Sequence, residues 1–256
     1  MASRATRWLA GLAIVGVIAA GCGDNGGDDT SGNAAPVIDP GDGGDYAPVL
    51  EPADFVDVID NPFLPLLPGS RWVYQGESDG ETERIEVVVT DERRTVMGAQ
   101  ATVVRDTVTD ADGALVEDTF DWFAQDRDGN VWYLGEDSRE YEDGQVASTE
   151  GSWEAGVDGA LPGIVMPAQP TVGFAYRQEY YAGEAEDMAE VVRVDEAKTV
   201  RFGDFDDVVV TRDWNPLEPD VVEEKYYAPG VGLIFETKTV GGEEHVELIQ
   251  YTRGEP

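Results

Sequence analysis

From about residue 53 onward, apolar positions alternate with polar ones at a period of two. Ile85, Val87 and Val89 interleave with Arg84, Glu86 and Val88. Phe120 and Trp122 interleave with Thr119 and Asp121, and Val131 and Tyr133 flank Trp132. Such alternation sends successive side chains to opposite faces of a strand. The runs are short and are punctuated by Asp79-Gly80, Asp112-Gly113, Asp128-Gly129, Asp143-Gly144 and Gly241-Gly242. Asp-Gly supplies the positive φ angles that tight hairpins require. No stretch carries a sustained helical stripe; Glu184 to Val191 offers at most a turn or two. The pattern predicts an all-β domain over residues 53–256, an antiparallel meander forming a barrel or half-barrel around an aromatic-rich interior.

The meander also repeats itself. Asp91-Glu92, Thr95-Val96, Gly98 and Val103-Val104 recur as Asp195-Glu196, Thr199-Val200, Gly203 and Val208-Val209. Downstream, Phe123-Ala124 leading to Gly129-Asn130-Val131-Trp132 recurs as Tyr227-Ala228 leading to Gly232-Leu233-Ile234-Phe235. A spacing held between 103 and 105 residues points to two similar halves of one pseudo-symmetric barrel or of two facing sheets.

The first 52 residues follow different rules. Arg4 and Arg7 precede an apolar run from Trp8 to Ile18, followed by small residues. That is the layout of a secretory signal peptide, here residues 1–21, and it is shorter than the roughly 20 apolar residues a membrane-spanning helix needs. Its ending, Ala19-Ala20-Gly21-Cys22, resembles the lipobox of bacterial lipoproteins, with Ala19 where most lipoboxes carry Leu. The resemblance implies that Cys22, the only cysteine of the chain, is lipidated and becomes the mature N-terminus. Residues 22–52 are then an acidic tether of Gly, Asp, Asn, Ser and Pro, too poor in apolar side chains to offset the entropy of ordering. A flexible coil of that length reaches on the order of 30 Å. The expected location is the cell envelope, on the extracytoplasmic face of a bacterial membrane.

A second resemblance lies at the two ends of the domain. Pro65-Leu66-Leu67-Pro68-Gly69-Ser70-Arg71-Trp72-Val73-Tyr74 is similar to the opening strand of uncharacterised bacterial envelope lipoproteins, including those grouped around TapB and the DUF3108-like proteins. Tyr226-Tyr227-Ala228-Pro229-Gly230-Val231-Gly232-Leu233 resembles their closing turn. These motifs are structural and imply an envelope-bound β protein without implying a reaction.

Charge narrows the partners. The chain has 53 acidic and 17 basic side chains, a formal net charge of −36, and loss of residues 1–21 with Arg4 and Arg7 makes it −38. Such a field repels nucleic acid and anionic headgroups, so the membrane is reached through the lipid anchor alone. With a single cysteine there is no internal disulfide, and stability rests on core burial.

Catalytic chemistry is sparse. The single histidine, His245, sits among Glu243, Glu244 and Glu247 on the last predicted strand, and no serine occupies a nucleophile elbow. One histidine and no free cysteine make a zinc site unlooked for, and no cofactor is implied. Asp110-Ala111-Asp112-Gly113 and Asp126-Arg127-Asp128-Gly129-Asn130 suggest calcium, but glycine falls fourth where an EF-hand needs it sixth, so both read as hairpin turns. No catalytic or metal-binding residue is assigned.

The stretch Gly151–Pro170 holds too much Gly and Pro for a regular element yet carries Trp153, Leu161, Ile164, Val165 and Met166. It reads as a crossover that plugs one barrel end or as a lid. In the lid version, Trp153 and Met166 border a pocket with Trp122, Trp132, Tyr176, Tyr180 and Tyr181, and the pocket takes an apolar or amphiphilic ligand. The alternative to a non-catalytic envelope lipoprotein, binding such a ligand or an envelope protein, is a glycan-binding or glycan-hydrolysing protein using Trp153 with Glu154 or Asp158. That alternative requires Trp153 exposed in a groove.

Overall fold

The computed structural model describes residues 46–78 and 80–255; the predicted signal peptide, Cys22 and most of the predicted tether lie outside the described residues. One turn of 3-10 helix, Pro52–Asp54, precedes the strands. These are β1 (Phe55–Val56), β2 (Arg71–Ser78), β3 (Glu81–Val96), β4 (Ala99–Thr109), β5 (Leu115–Asp126), β6 (Val131–Asp137), β7 (Glu140–Glu142), β8 (Gln145–Ser148) and β9 (Trp153–Glu154). They continue as β10 (Leu161–Met166), β11 (Ala175–Arg177), β12 (Glu179–Tyr180), β13 (Met188–Val200), β14 (Gly203–Trp214), β15 (Val222–Ala228), β16 (Gly232–Val240) and β17 (Glu244–Thr252). No helix among the described residues is long and apolar enough to cross a membrane.

All the strands belong to one antiparallel sheet that is nearly closed into a barrel. β2 to β6 pair in succession, β6 pairs with β10, and β10 pairs with β12. β11, which with β12 makes one extended segment around Gln178, pairs with β13. β13 to β17 then follow in order, and β17 returns to β2. The ring therefore divides into β2-β3-β4-β5-β6-β10 and β11/β12-β13-β14-β15-β16-β17, the last strand of each half pairing with the first of the other.

The halves match in detail. Gly69 N donates to Val89 O, Ser70 N to Leu67 O and Val89 N to Ser70 O; Gly173 N donates to Val191 O, Phe174 N to Thr171 O and Val191 N to Phe174 O. Both glycines have positive φ (79° and 87°), which lets the chain turn sharply into the first strand of its half. The long hairpins β3-β4 and β13-β14 lose register just after Val89 and Val191. Bulges increase local twist, and the hairpin ends bend onto the next strands of their own half. Arg94 lies 3.8 Å over the Trp122 ring, and Lys198, 104 positions later, lies 4.4 Å over Tyr226, 104 positions after Trp122.

One end of the barrel is closed by residues 57–70. Ile59, Leu64 and Leu66 are buried there. Asn61 holds turns from around the rim, its Nδ2 donating to Gly129 O at 2.9 Å and its N–H to Gln125 Oε1 at 2.8 Å. Gly230 N donates to Pro62 O at 2.7 Å, so the cap is tied to both halves. Packing begins ahead of residue 53: Tyr46 is buried, its hydroxyl donates to Pro162 O at 2.7 Å, and its ring meets Tyr180 edge-on.

The expectation that Gly151–Pro170 contains no regular strand is corrected by β10, which closes the barrel between the two halves. Pro162 keeps its carbonyl useful by accepting from Tyr46. Gly163 is required by crowding, because a Cβ there would stand 2.2 Å from the Gln178 carbonyl carbon. Composition disfavours a strand here, and close approach of β10 to β12 needs that same composition.

Candidate functional site

The period-two alternation fixes what enters the barrel. Phe123 of β5 and Tyr133 of β6 are paired in register and their rings stack with centroids 4.9 Å apart. Counting back along β5, Asp121, Thr119 and Glu117 share that inward face, whereas Trp122 and Ala124 share the other. A register shift between Asp121 and Phe123 brings Glu136 opposite Asp121. Three carboxyl side chains of the first half thus meet inside the sheet, and all three residues are buried.

Their satisfaction is lopsided. Tyr133 OH donates to Asp121 Oδ1 at 2.7 Å, and Thr119 Oγ1 donates to Glu117 Oε1 at 2.6 Å. Asp121 Oδ2, Glu117 Oε2 and Glu136 Oε1 have no partner among the described residues, nor does either side-chain oxygen of Glu179 or Asp187. Burial raises the carboxyl of Glu117 to about 7, against the help of Thr119. Burial likewise pushes up Asp121, despite the Tyr133 hydroxyl, and Glu136, where Asp121 and Glu117 add repulsion. Glu179 and Asp187 face each other: burial raises Glu179 to about 8, against the help of Asp187 and Trp153 and with repulsion from Glu136, whereas Asp187 is pushed up by burial and then by Glu179.

The second half contributes a different arrangement. Lys225 on β15 stands opposite Thr211 of β14 and Glu236 of β16. Its ammonium lies 3.5 Å from Asp213 Oδ2 and 3.9 Å from Glu236 Oε2. Burial opposes the charge of Lys225, yet Glu236 and Asp213 hold its pKa well above the usual lysine value. Burial also raises Glu236 and Glu223, and Lys225 offsets part of each rise. Gln178 Nε2 donates to Asp213 Oδ2 at 3.1 Å, linking this cluster to β11 and β12.

The residues expected to line a common pocket are distributed over both faces of the sheet. Trp122 is covered by Arg94 on the face opposite Phe123. Trp132 shares that face, and its Nε1 donates to Asp126 Oδ2 at 2.8 Å. Met166 and Tyr176 are wholly buried. Tyr180 is half-buried under Arg177, 4.4 Å from its guanidinium carbon, and Tyr181 is half-buried in the turn that follows. Trp153 is buried, edge-on to Tyr133 at 5.3 Å. Its burial removes the exposed platform that the glycan reading requires; Glu154 is also engaged, in an ion pair with Arg94.

Asp110 and Asp126 are turn residues. Asp110 Oδ1 accepts from Asp112 N and Ala114 N, and Asp126 Oδ1 accepts from Asn130 N. His245 stacks on Phe235 on β17 and stands 4.0 Å from Glu77. It borders a groove of about 430 Å³ between the β2-β3 and β16-β17 hairpin tips, lined also by Glu81, Lys238 and Glu244. Among the described residues no group of three or more His, Cys, Asp or Glu is arranged to hold a metal ion.

The inward carboxyls were missed because the alternation of Phe120 and Trp122 suggests that those aromatics face the core. β5 is buried on both faces: the bent β3-β4 hairpin covers the outer one. The available signal was the phase of Phe123, which repeats as Tyr227 and carries Asp121 and Glu117 with it.

No protein-family model matches the chain, and no sequence among the curated proteins matches it. Two solved structures are similar in fold. One is a candidate lipoprotein of Parabacteroides distasonis, 14% identical, with a TM-score of 0.42 over 75% of this chain and 99% of that one. The other is a candidate exported protein with a YmcC-like fold from Bacteroides fragilis, 16% identical, with a TM-score of 0.42 and the same coverage of both chains.

Proposed function

We propose that the chain is a lipid-anchored protein of the bacterial cell envelope whose barrel works without catalysis, as a structural or assembly module held near the membrane. The observation that carries the reading is Ala19-Ala20-Gly21-Cys22 directly after a charged and then apolar leader, with the chain's only cysteine at that point. The barrel supports the module over a ligand carrier, because large side chains such as Tyr133, Phe123 and Tyr176 occupy its interior and are wholly buried. An apolar ligand would have to displace them. The outer surface, with its acidic hairpin-tip groove, is then where another envelope protein would be met.

Intact-mass spectrometry of the full-length chain, expressed in a bacterial host and kept in mild detergent, tests the reading. The expected product begins at Cys22 with covalently attached acyl chains, and Cys22→Ser abolishes both the lipid and membrane retention. A wild-type chain lacking lipid overturns the anchor. A non-covalent mass that organic solvent strips away overturns the filled-barrel module in favour of a carried ligand.

A further inference from the structure

Protons are the smallest species that can neutralise a buried carboxylate, and they need no cavity. Among the described residues, the groups that bear on Glu117, Asp121 and Glu136 are acids and hydroxyls. Facing Asp121 and Glu136 are Tyr133 of β6, Glu117 of β5, Asp187 ahead of β13 and Glu179 of β12. Glu117 is approached further by Glu140 of β7, Glu83 of β3 and its neighbour Asp118, every one an acid. Lys225 reaches Asp187 from the second half, where Glu223 competes for it. Arg177 is held beside the Tyr46 and Tyr180 rings. Glu179 and Asp187 make the requirement plain: as two carboxylates they have four acceptor oxygens and no donor, and one proton between them supplies a hydrogen bond.

A short strand covers this cluster. β9 joins the barrel through Trp153 opposite Glu136 and Glu154 opposite Gly135, two residues of pairing. Trp153 packs against Tyr133, and its Nε1 lies beside the Glu179 carboxyl. The β7-β8 hairpin preceding β9 is largely exposed. Ala155 N donates to Leu134 O, Ser152 Oγ is linked to Ser138 and Glu154 pairs with Arg94, so the segment is fastened by a handful of contacts beside an exposed hairpin, the setting in which local opening is easiest.

We propose that the interior carboxyls around Asp121 and Glu136 form a proton-operated latch: while they hold protons, the segment carrying Trp153 stays closed over them, and loss of the protons opens it. Ionising the first carboxyl makes charge in a dry site, and water must enter to solvate it. Each later ionisation meets like charge already present, so the groups titrate as a set rather than one by one. The entering water reaches the set by displacing β9, which pairs with β6 through two residues opposite Glu136 and Gly135.

The test follows infrared carbonyl bands and amide hydrogen exchange of the full-length chain through an alkaline titration. The expected result is a protonated-carboxyl band that persists at neutral pH and fades on going alkaline, while exchange of residues 151–156 rises beyond its intrinsic increase with pH. Asp121→Asn and Glu136→Gln each remove part of the band and keep the segment closed to higher pH. Absence of the band at neutral pH overturns the proposal, as does unchanged protection of residues 151–156 after the band has gone. Both of these readings come from the wild-type chain, so they stand if a variant does not fold.

Discussion

The two halves of the barrel share one strand plan and neutralise their interiors differently. Asp121 in the first half and Lys225 in the second are 104 positions apart, on the equivalent strands β5 and β15, and both point inward. Around Lys225 the carboxylates of Asp213 and Glu236 find a cation within 4 Å. Around Asp121 the neighbours are Glu117 and Glu136, and the side-chain donors are hydroxyls, Tyr133 and Thr119. A duplicated backbone therefore hosts an ion-paired interior on one side and a proton-dependent one on the other. The backbone repeat constrains where side chains point, not what charge they bring.

The sharpest way to break the contrast is to take away the cation. Lys225→Met leaves Asp213 and Glu236 buried without their partner, and losing one member of a buried pair costs about 3–5 kcal/mol. The expected loss appears in urea denaturation at neutral pH and shrinks in acid, where the carboxyls take up protons. A loss below about 1 kcal/mol at neutral pH would mean that the second half does not depend on its ion pair.

A second effect concerns the first half alone. Glu117 titrates at about 7 in the folded protein and near 4.3 when unfolded. Between those values the folded state binds more protons than the unfolded one, so stability falls as pH rises and levels off once Glu117 is ionised in both states. Its contribution is fully present below the unfolded pKa, and its loss amounts to about 4 kcal/mol. Glu117→Gln, which keeps an acceptor for Thr119, should flatten this slope, as read from denaturation midpoints at about pH 5 and pH 8. An unchanged slope assigns the effect to other groups.

The smallest effect sharpens the likeness instead of the difference. Arg94 over Trp122 and Lys198 over Tyr226 are matched contacts that pin the two bent hairpins. Arg94→Met and Lys198→Met should each cost about 0.5–1 kcal/mol, the range for cation–π contacts at partly exposed sites. Thermal melts of the two variants compare them directly. A cost confined to one half would show that only one hairpin depends on its cation.

Much of the fold was legible in the chain because strands announce themselves locally. Alternation at Ile85-Val89, Asp-Gly turns and the spacing of the repeat each depend on a few adjacent residues, and the structure has the corresponding strands and hairpins. β10 was hidden for the opposite reason: Pro162 and Gly163 argue against a strand, and only the approach of the Gln178 backbone makes them suitable. The candidate site was hidden by phase. Trp122 and Trp132 look like core aromatics, and they are buried, but on the outer face of the sheet under a hairpin that bends back from residues 89–96.

By itself the sequence determined an all-β meander in two related halves, because period and turn chemistry are properties of neighbouring residues. Which face of each strand points inward, and hence that Asp121, Glu136, Glu179 and Asp187 share an interior with a single lysine on its far side, was decided only by closure of the sheet. Acids spread across more than sixty positions become neighbours when strands from both halves meet, and the low dielectric there turns ordinary side chains into proton-holding ones.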